Sequence, residues 1–243
     1  MTSDKPDLSV VLLCYRSEDA IPSYVEDLKS CLNELNIDWE IILVANYVTG
    51  SNDRTPDIAK DIASQDPRIK ALTREKEGMM GWDMKSGFAM ATGEVIAVTD
   101  GDGQFPLSDV AKIYTKLITE NLDMAKTYRI KRGDGLYRRI LSAVYNFIFS
   151  IFFPGLSCHD ANSKPKIFKA DVLRKMELFS DDWFIDAEIM IQARRLNLKF
   201  GEISTQFTKL DSRTSFVKPG AIIEFIVNMI LYRLREYCYP SKK

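Results

Sequence analysis

ATGEVIAVTDGDGQFP, Ala91 to Pro106, is the stretch on which the fold turns. Gly93 closes a helical pattern over Trp82–Thr92, as helices commonly stop at a glycine in the left-handed region. Val95 to Asp100 is then a short apolar run with β-branched residues. Such a run suits a strand buried on both faces of a parallel sheet. Asp100, Gly101, Asp102, Gly103 and Gln104 leave its carboxyl end.

The same unit recurs upstream. LSVVLLCY (Leu8–Tyr15) and WEIILVAN (Trp39–Asn46) read as buried strands, and RIKALT (Arg68–Thr73) as a short third one. Helices are expected between them. One runs from about Ile21 to Leu35, entered through Pro22. The other spans Thr55–Gln65, with Thr55 as N-cap and Pro56 at the first helical position. This alternation predicts an α/β fold, a mostly parallel sheet flanked by helices. Ligands of such sheets bind beyond the carboxyl ends of the strands. The loops Cys14–Glu18, Asn46–Thr55 and Asp100–Pro106 therefore share the informative edge. Downstream the pattern gives a helix over Leu107–Glu120, a strand over Asp123–Ile130, a helix over Asp186–Leu196 and a strand over Leu198–Phe207. A long amphipathic helix closes the chain from about Pro219 to Tyr239. With no repeat or linker in view, residues 1–218 read as one domain and residues 219–243 as a C-terminal helical extension.

Composition narrows the function. Basic and acidic residues number 33 and 34 in 243, so the chain lacks the basic excess of a nucleic-acid binder. Cys14, Cys31, Cys158 and Cys238 are widely spaced and His159 is the single histidine. That spacing argues against a structural zinc site, and the cysteine usage points to a reducing, cytoplasmic setting. MTSDKPD does not read as a secretory signal. The apolar segments Ile140–Phe153 and Ala221–Tyr232 fall short of the ~20 residues that span a bilayer.

Two carboxylates one residue apart on a tight loop can face one divalent cation, and hard oxygen ligands suit Mg²⁺ or Mn²⁺. Gln104 adds an amide oxygen, and the glycines let the loop bend and a bulky ligand approach. The competing reading is a solvated turn, because Asp-Gly pairs are common turn formers. An EF-hand is excluded, since Gln104 and Phe105 stand at its fifth and sixth positions. No G-x-G-x-x-G opens a helix after the first strand, which excludes that dinucleotide fingerprint.

Taken together, these segments resemble the family 2 glycosyltransferases of the GT-A fold, and within them the polyprenyl-phosphate, dolichol-phosphate mannose synthase-like branch, over roughly residues 8–218. VVLLCYRSED looks like the first strand and its P-x-Y-N-E-E loop, and EIILVANYVTGSNDRT like E-I-I-V-V-D-D-G-S-x-D-G-T. GWDMKSGFAMATGEVIAVTDGDGQFP looks like the segment ending A-x-G-E … D-A-D-x-Q-x-P, and CHDANSKPKIFKADVL is similar to D-x-x-S-G-F-R-x-F-x-R-x-V-L.

The resemblance implies roles. Tyr15 and Glu18 frame the nucleotide base and ribose, and Asn46 stands where an aspartate commonly binds the base. Asp100, Asp102 and Gln104 form the metal and diphosphate set. Asp186 and Glu188 match the acidic segment before A-x-x-x-G-x-x-x-x-E-I-P, which with Asp102 makes them catalytic candidates. Arg129, Arg138, Ser142 and Lys218 are candidates for an acceptor phosphate, and Arg213 for the donor. Three departures stand out: Ala45-Asn46 replaces Asp-Asp, Cys14-Tyr15-Arg16-Ser17 replaces the usual Pro and Asn, and Arg213 replaces a glycine.

The basic stretch RIKRGDGLYRR adjoins an apolar segment, the pairing that a lipid phosphate needs; a solvated face beside a core helix is the alternative. The C-terminal helix suits a membrane interface, packing on the domain, or a homodimer contact. The expected activity is inverting, metal-dependent hexosyl transfer from a nucleotide sugar, GDP-mannose ahead of UDP-glucose, to a polyprenyl phosphate. The expected setting is peripheral, at the cytoplasmic membrane face. A hydroxyl acceptor is the second reading, with Asp186 or Glu188 as general base, and a non-catalytic nucleotide-sugar-binding subunit the third.

Overall fold

The structure, a computed structural model, describes residues 5–132, 147–155, 158–208 and 220–238. Its centre is a run of β-branched and leucine-rich strands. β1 (Leu8–Leu13) and β2 (Trp39–Val44) are buried at every position, and β4 (Val95–Asp100) at all but its last. Successive side chains point to opposite faces. Val11 and Leu13 therefore join one core with Ile42, Val44, Ile96 and Val98. Val10 and Leu12 join the other with Ile41, Leu43 and Ala97.

Helices cover both faces. α1 (Ile21–Asn33), α2 (Thr55–Gln65) and α4 (Ser108–Thr119) pack on the face of Val10 and Leu12. α3 (Met80–Met90), the helical residues 147–152 (α5), the short α6 (Ala170–Leu173), α7 (Ile185–Arg195) and α8 (Gly220–Cys238) supply the other. The sheet has seven strands in the order β3-β2-β1-β4-β6-β5-β7, with β3 (Ile69–Leu72), β5 (Met124–Arg132), β6 (Lys166–Lys169) and β7 (Phe200–Phe207). β6 alone runs against the rest, antiparallel to both β4 and β5. The expected mostly parallel α/β sheet is thus the one observed.

Register aligns the loops. Leu13 stands opposite Val44 on one side and Asp100 on the other. The Cys14 N–H donates to the Val44 carbonyl at 2.9 Å, and the Gly101 N–H to the Leu13 carbonyl at 2.8 Å. All three strands release their loops at one level of one edge.

Three local readings are corrected. Thr55 is not the cap of α2: the helix begins with it, and its hydroxyl instead accepts the Ser17 and Glu18 N–H groups, each at 3.1 Å. α3 starts at Met80, two residues before Trp82, because the Met79 N–H is taken by the Asp181 carbonyl at 2.8 Å and fixes the entry. β6 is an additional strand. Its sequence, KIFK, is too short and too charged to read as one, and yet Lys166 is fully buried.

Candidate functional site

Asp100 ends β4, and the next four residues turn over the sheet edge. Gly103 has φ +74°, a backbone that favours glycine, and a Cβ there would meet nothing within 4 Å. A Cβ at Gly101 would stand 3.1 Å from the Leu13 carbonyl oxygen and 3.2 Å from the Cys14 sulfur. The loop can therefore lie close on β1 while its outer side stays open. The Asp102 carboxylate accepts the Gln104 N–H at 3.0 Å, and the Gln104 carbonyl accepts the Thr208 N–H at 3.0 Å. That second bond ties the loop to the end of β7. Beneath lies the buried Tyr24 phenol. Burial, and then the charges of Asp102 and Asp100, push its pKa far above the ordinary value. Both carboxylates thus act on one small region.

A buried charge chain runs back from Asp100. The Lys164 ammonium lies 3.2 Å from Asp100 Oδ1 and 3.2 Å from Asp186 Oδ2. Lys166 Nζ donates to Asp186 Oδ1 at 2.6 Å and to the Ser163 carbonyl at 2.8 Å. Burial opposes the charge on Asp186, but Lys164 and Lys166 outweigh it and hold the carboxyl below its usual range. For Lys164, burial is outweighed by Asp100 and Asp186, so the ammonium is held above its ordinary pKa. Burial, together with Lys164 and Lys126, pushes Lys166 down to about 8 against the pull of Asp186.

Glu188 lies elsewhere. Two residues apart on a helix, it and Asp186 do not share a face. Its oxygens accept the Phe179 and Ser180 N–H groups at 2.8 and 2.9 Å, and the Tyr232 hydroxyl at 2.5 Å. Burial pushes its pKa up, and these donors offset only part of the rise.

The first loop is strained and braced. Arg16 and Glu18 have φ of 52° and 31°, unfavourable for side chains with a Cβ. Thr55 holds the two N–H groups there, as described above. Tyr15 carries two cations against its ring: the Arg16 guanidinium at 5.3 Å and the Lys76 ammonium at 4.7 Å from the centroid. Glu18 accepts the Arg54 N–H at 3.4 Å.

Asn46 is buried. Its amide donates to Asp83 Oδ1 at 2.8 Å, and its carbonyl accepts the Arg74 N–H at 2.9 Å. Lys76 pairs with the other oxygen of Asp83. Burial raises the Asp83 pKa, and Lys76 and Asn46 bring it only part of the way back.

On β5, Arg129 grips Asp160 bidentately, with Nε at 2.6 Å and Nη2 at 2.9 Å from its oxygens. Beside it, fully buried Lys126 pairs with Glu202 at 2.6 Å. Arg138, Ser142, Arg213 and Lys218 lie outside the described residues. The edge thus brings together Tyr15, Glu18, Asp100, Asp102 and Gln104, with Asp186 one lysine behind Asp100. The sequence reading missed Lys164, Lys166, Asp83, Lys76 and Asp160. The one signal was the alternation of lysine with apolar residues in KPKIFK; Lys76, Asp83 and Asp160 sit in stretches that carry none.

Asp100, Asp102 and the Gln104 amide are hard oxygen donors, a set whose chemistry would suit Mg²⁺ or Mn²⁺. Among the described residues no group of three or more His, Cys, Asp or Glu side chains is placed to hold a metal ion, so the protein's carboxylate donors here are Asp100 and Asp102 alone.

Comparison with known proteins bears on this arrangement. The chain is 29% identical over 150 residues to the undecaprenyl-phosphate 4-deoxy-4-formamido-L-arabinose transferase of Pectobacterium atrosepticum, covering 61% of this chain and 44% of that protein. It therefore spans less than half the length of that relative. It is 24% identical over 270 residues to a dolichyl-phosphate beta-glucosyltransferase of Trichomonas vaginalis, covering 99% of this chain and 79% of that one. Its fold matches glucosyl-3-phosphoglycerate synthase from Mycobacterium tuberculosis, solved with Mn²⁺, uridine diphosphate and glucosyl-3-phosphoglycerate. That match has a TM-score of 0.70 at 17% identity, over 94% of this chain and 80% of that one. The GT-A fold expected from the sequence is therefore the fold observed. Residues 9–177, from the first strand through the DGDGQ loop to the lysine-bearing β6, match the family described as Glycosyl transferase family 2, and the chain belongs to that family.

Proposed function

We propose that this chain is a metal-dependent, inverting hexosyltransferase that moves a sugar from a nucleoside-diphosphate sugar to a polyprenyl phosphate. The observation that carries this reading is the Asp100–Asp102–Gln104 loop at the carboxyl edge, beside the Tyr15 loop, in a family 2 chain. The relatives named for polyprenyl- and dolichyl-phosphate transfer support the acceptor class. The Trichomonas relative's name makes glucose the first sugar to test, ahead of the mannose that the sequence resemblance favoured.

In this reading the donor base and ribose lie against Tyr15 and Glu18, and the diphosphate lies over the Asp100–Asp102 loop. A divalent cation on Asp100, Asp102 and Gln104, when bound, offsets the charge gathering on the departing diphosphate. An oxygen of the acceptor phosphate attacks the anomeric carbon from the opposite face. The bond from that carbon to the diphosphate breaks, its electron pair leaves with the nucleoside diphosphate, and the configuration inverts. The phosphate is already ionised, so the step needs positioning more than a base. This choice over a hydroxyl acceptor is supported by Asp186. Held below the usual carboxylate range by two lysines, it is a poor proton acceptor. Glu188 has both oxygens engaged by donors remote from the loop.

Membrane contact belongs to the same proposal. α8 sets Met229 and Tyr232 into the core. Val227, Ile230, Leu231 and Leu234 are about half exposed on its outer side. No helix among the described residues is long and apolar enough to cross a bilayer, so the contact proposed is peripheral, at the cytoplasmic face; a homodimer is the competing use of this surface.

The test is transfer from UDP-glucose, GDP-mannose and related donors to a polyprenyl phosphate in detergent, with Mn²⁺ or with chelator. Metal-dependent formation of a glycosyl polyprenyl phosphate is expected with one donor. Transfer only to a hydroxyl acceptor, or binding without any turnover, rejects the proposal.

A further inference from the structure

The Asp100–Asp102 loop is built over a lysine. Lys164 Nζ lies within 3.5 Å of both Asp100 oxygens, and only 4% of its side chain is exposed. It is held from behind by Asp186 at 3.2 Å, and its own carbonyl accepts the Thr127 hydroxyl at 2.6 Å. Asp186 is in turn fixed by Lys166. In the D-x-x-S-G-F-R pattern that DANSKPK resembles, a glycine stands where this chain has Lys164. Three carboxylates, Asp100, Asp102 and Asp186, and two ammonium groups leave this cluster one negative charge; without Lys164 it would carry two. A buried charge of this kind is poorly screened, so its influence reaches whatever anion lies on Asp100. A free divalent cation approaching the loop must share a carboxylate that already has a counter-ion.

We propose that Lys164 is a built-in counter-cation of the diphosphate site: it supports nucleoside-diphosphate binding when no metal is bound, and it weakens the loop's grip on a free divalent cation. This rests on the reading of the loop as a diphosphate site.

The test uses the full chain, with UDP and GDP as ligands in calorimetric titrations, in chelator and with Mn²⁺, and Mn²⁺ binding followed by electron paramagnetic resonance without nucleotide. The wild type is expected to keep measurable nucleoside-diphosphate affinity in chelator. Lys164→Met should lose it by about tenfold or more, the usual worth of a charged hydrogen-bonding partner. Lys164→Arg should restore it. Free Mn²⁺ should bind more tightly to Lys164→Met than to the wild type. Should Lys164→Met not fold, Lys164→Gln keeps a hydrogen-bond donor between Asp100 and Asp186 without the charge and carries the same measurements. Equal affinities in wild type and variant, in chelator and for Mn²⁺, overturn the role of Lys164 alone. Failure of both nucleotides to bind under any condition overturns the diphosphate reading, and this inference with it.

Discussion

The Asn46 amide donates a 2.8 Å hydrogen bond to Asp83, a carboxylate 37 residues away and buried with it. Asn46 replaces an aspartate of the family pattern, and the acidic group has not vanished: it stands on α3, one hydrogen bond away. Asn46→Asp would put two carboxylates in that contact with Lys76 as their near cation. Like charges that close cannot both ionise without cost. We expect a loss on the order of 3 kcal/mol at neutral pH, eased as pH falls and one carboxyl takes a proton. Adding Asp83→Ala should recover part of the loss. Urea denaturation of the wild type and these two variants across pH checks this.

Asp102→Asn keeps the bond to the Gln104 N–H but removes a charge from the loop. Transfer should fall on the order of 10²-fold or more, as when one preorganised electrostatic group is removed, with thermal stability near that of the wild type. Steady-state kinetics and a melting curve separate the two.

Asp186→Asn leaves Lys164 and Lys166 buried without a full counter-charge. A loss on the order of 3–5 kcal/mol is expected from breaking a buried pair. The pH dependence follows from sign. The Asp186 carboxyl is depressed in the folded state, so the unfolded chain binds its proton first as pH falls. Its stabilisation is complete above the ordinary aspartate pKa and disappears as pH drops through the lower folded value. The variant's melting temperature should therefore be flatter below about pH 4. Thermal denaturation at a series of acid pH values is the check.

Arg129→Lys replaces a planar fork with a point charge and cannot reproduce both bonds to Asp160. A stability loss of about 1–2 kcal/mol is expected. If Arg129 also faces the acceptor phosphate, the KM for polyprenyl phosphate should rise more than kcat falls.

Leu231→Ser and Leu234→Ser alter half-exposed positions of α8 and should shift stability by no more than about 0.5 kcal/mol each. Co-sedimentation with anionic lipid vesicles should drop in the double variant. Unchanged sedimentation, with a changed oligomeric state, would assign the surface to a second copy.

The sequence disclosed the parallel half of the molecule because each strand there is an unbroken apolar run between helices with clear ends. β1, β2 and β4 need no partner to be recognised. The DGDGQ loop was legible for the same reason, since the strand before it fixes its edge. β6 was not legible. It is four residues long, flanked by lysines, and exists because two longer strands leave a gap that it closes. Buried lysines defeat a reading based on polarity: Lys126, Lys164 and Lys166 look solvated until Glu202, Asp100 and Asp186 are brought to them from afar. Thr55 misled for a related reason. It has the composition of a helix cap, but its oxygen serves the first loop.

If the first loop holds the donor nucleotide as proposed, that Thr55 contact also sets how the nucleotide would arrive. One oxygen pins two successive backbone groups of a loop that carries two left-handed residues. The loop therefore surrenders its conformational entropy during folding and meets its ligand already shaped. Base and ribose should enter as into a rigid slot, quickly and with little ordering of Cys14–Glu18, whereas Thr55→Val would make the same loop fold around each ligand anew.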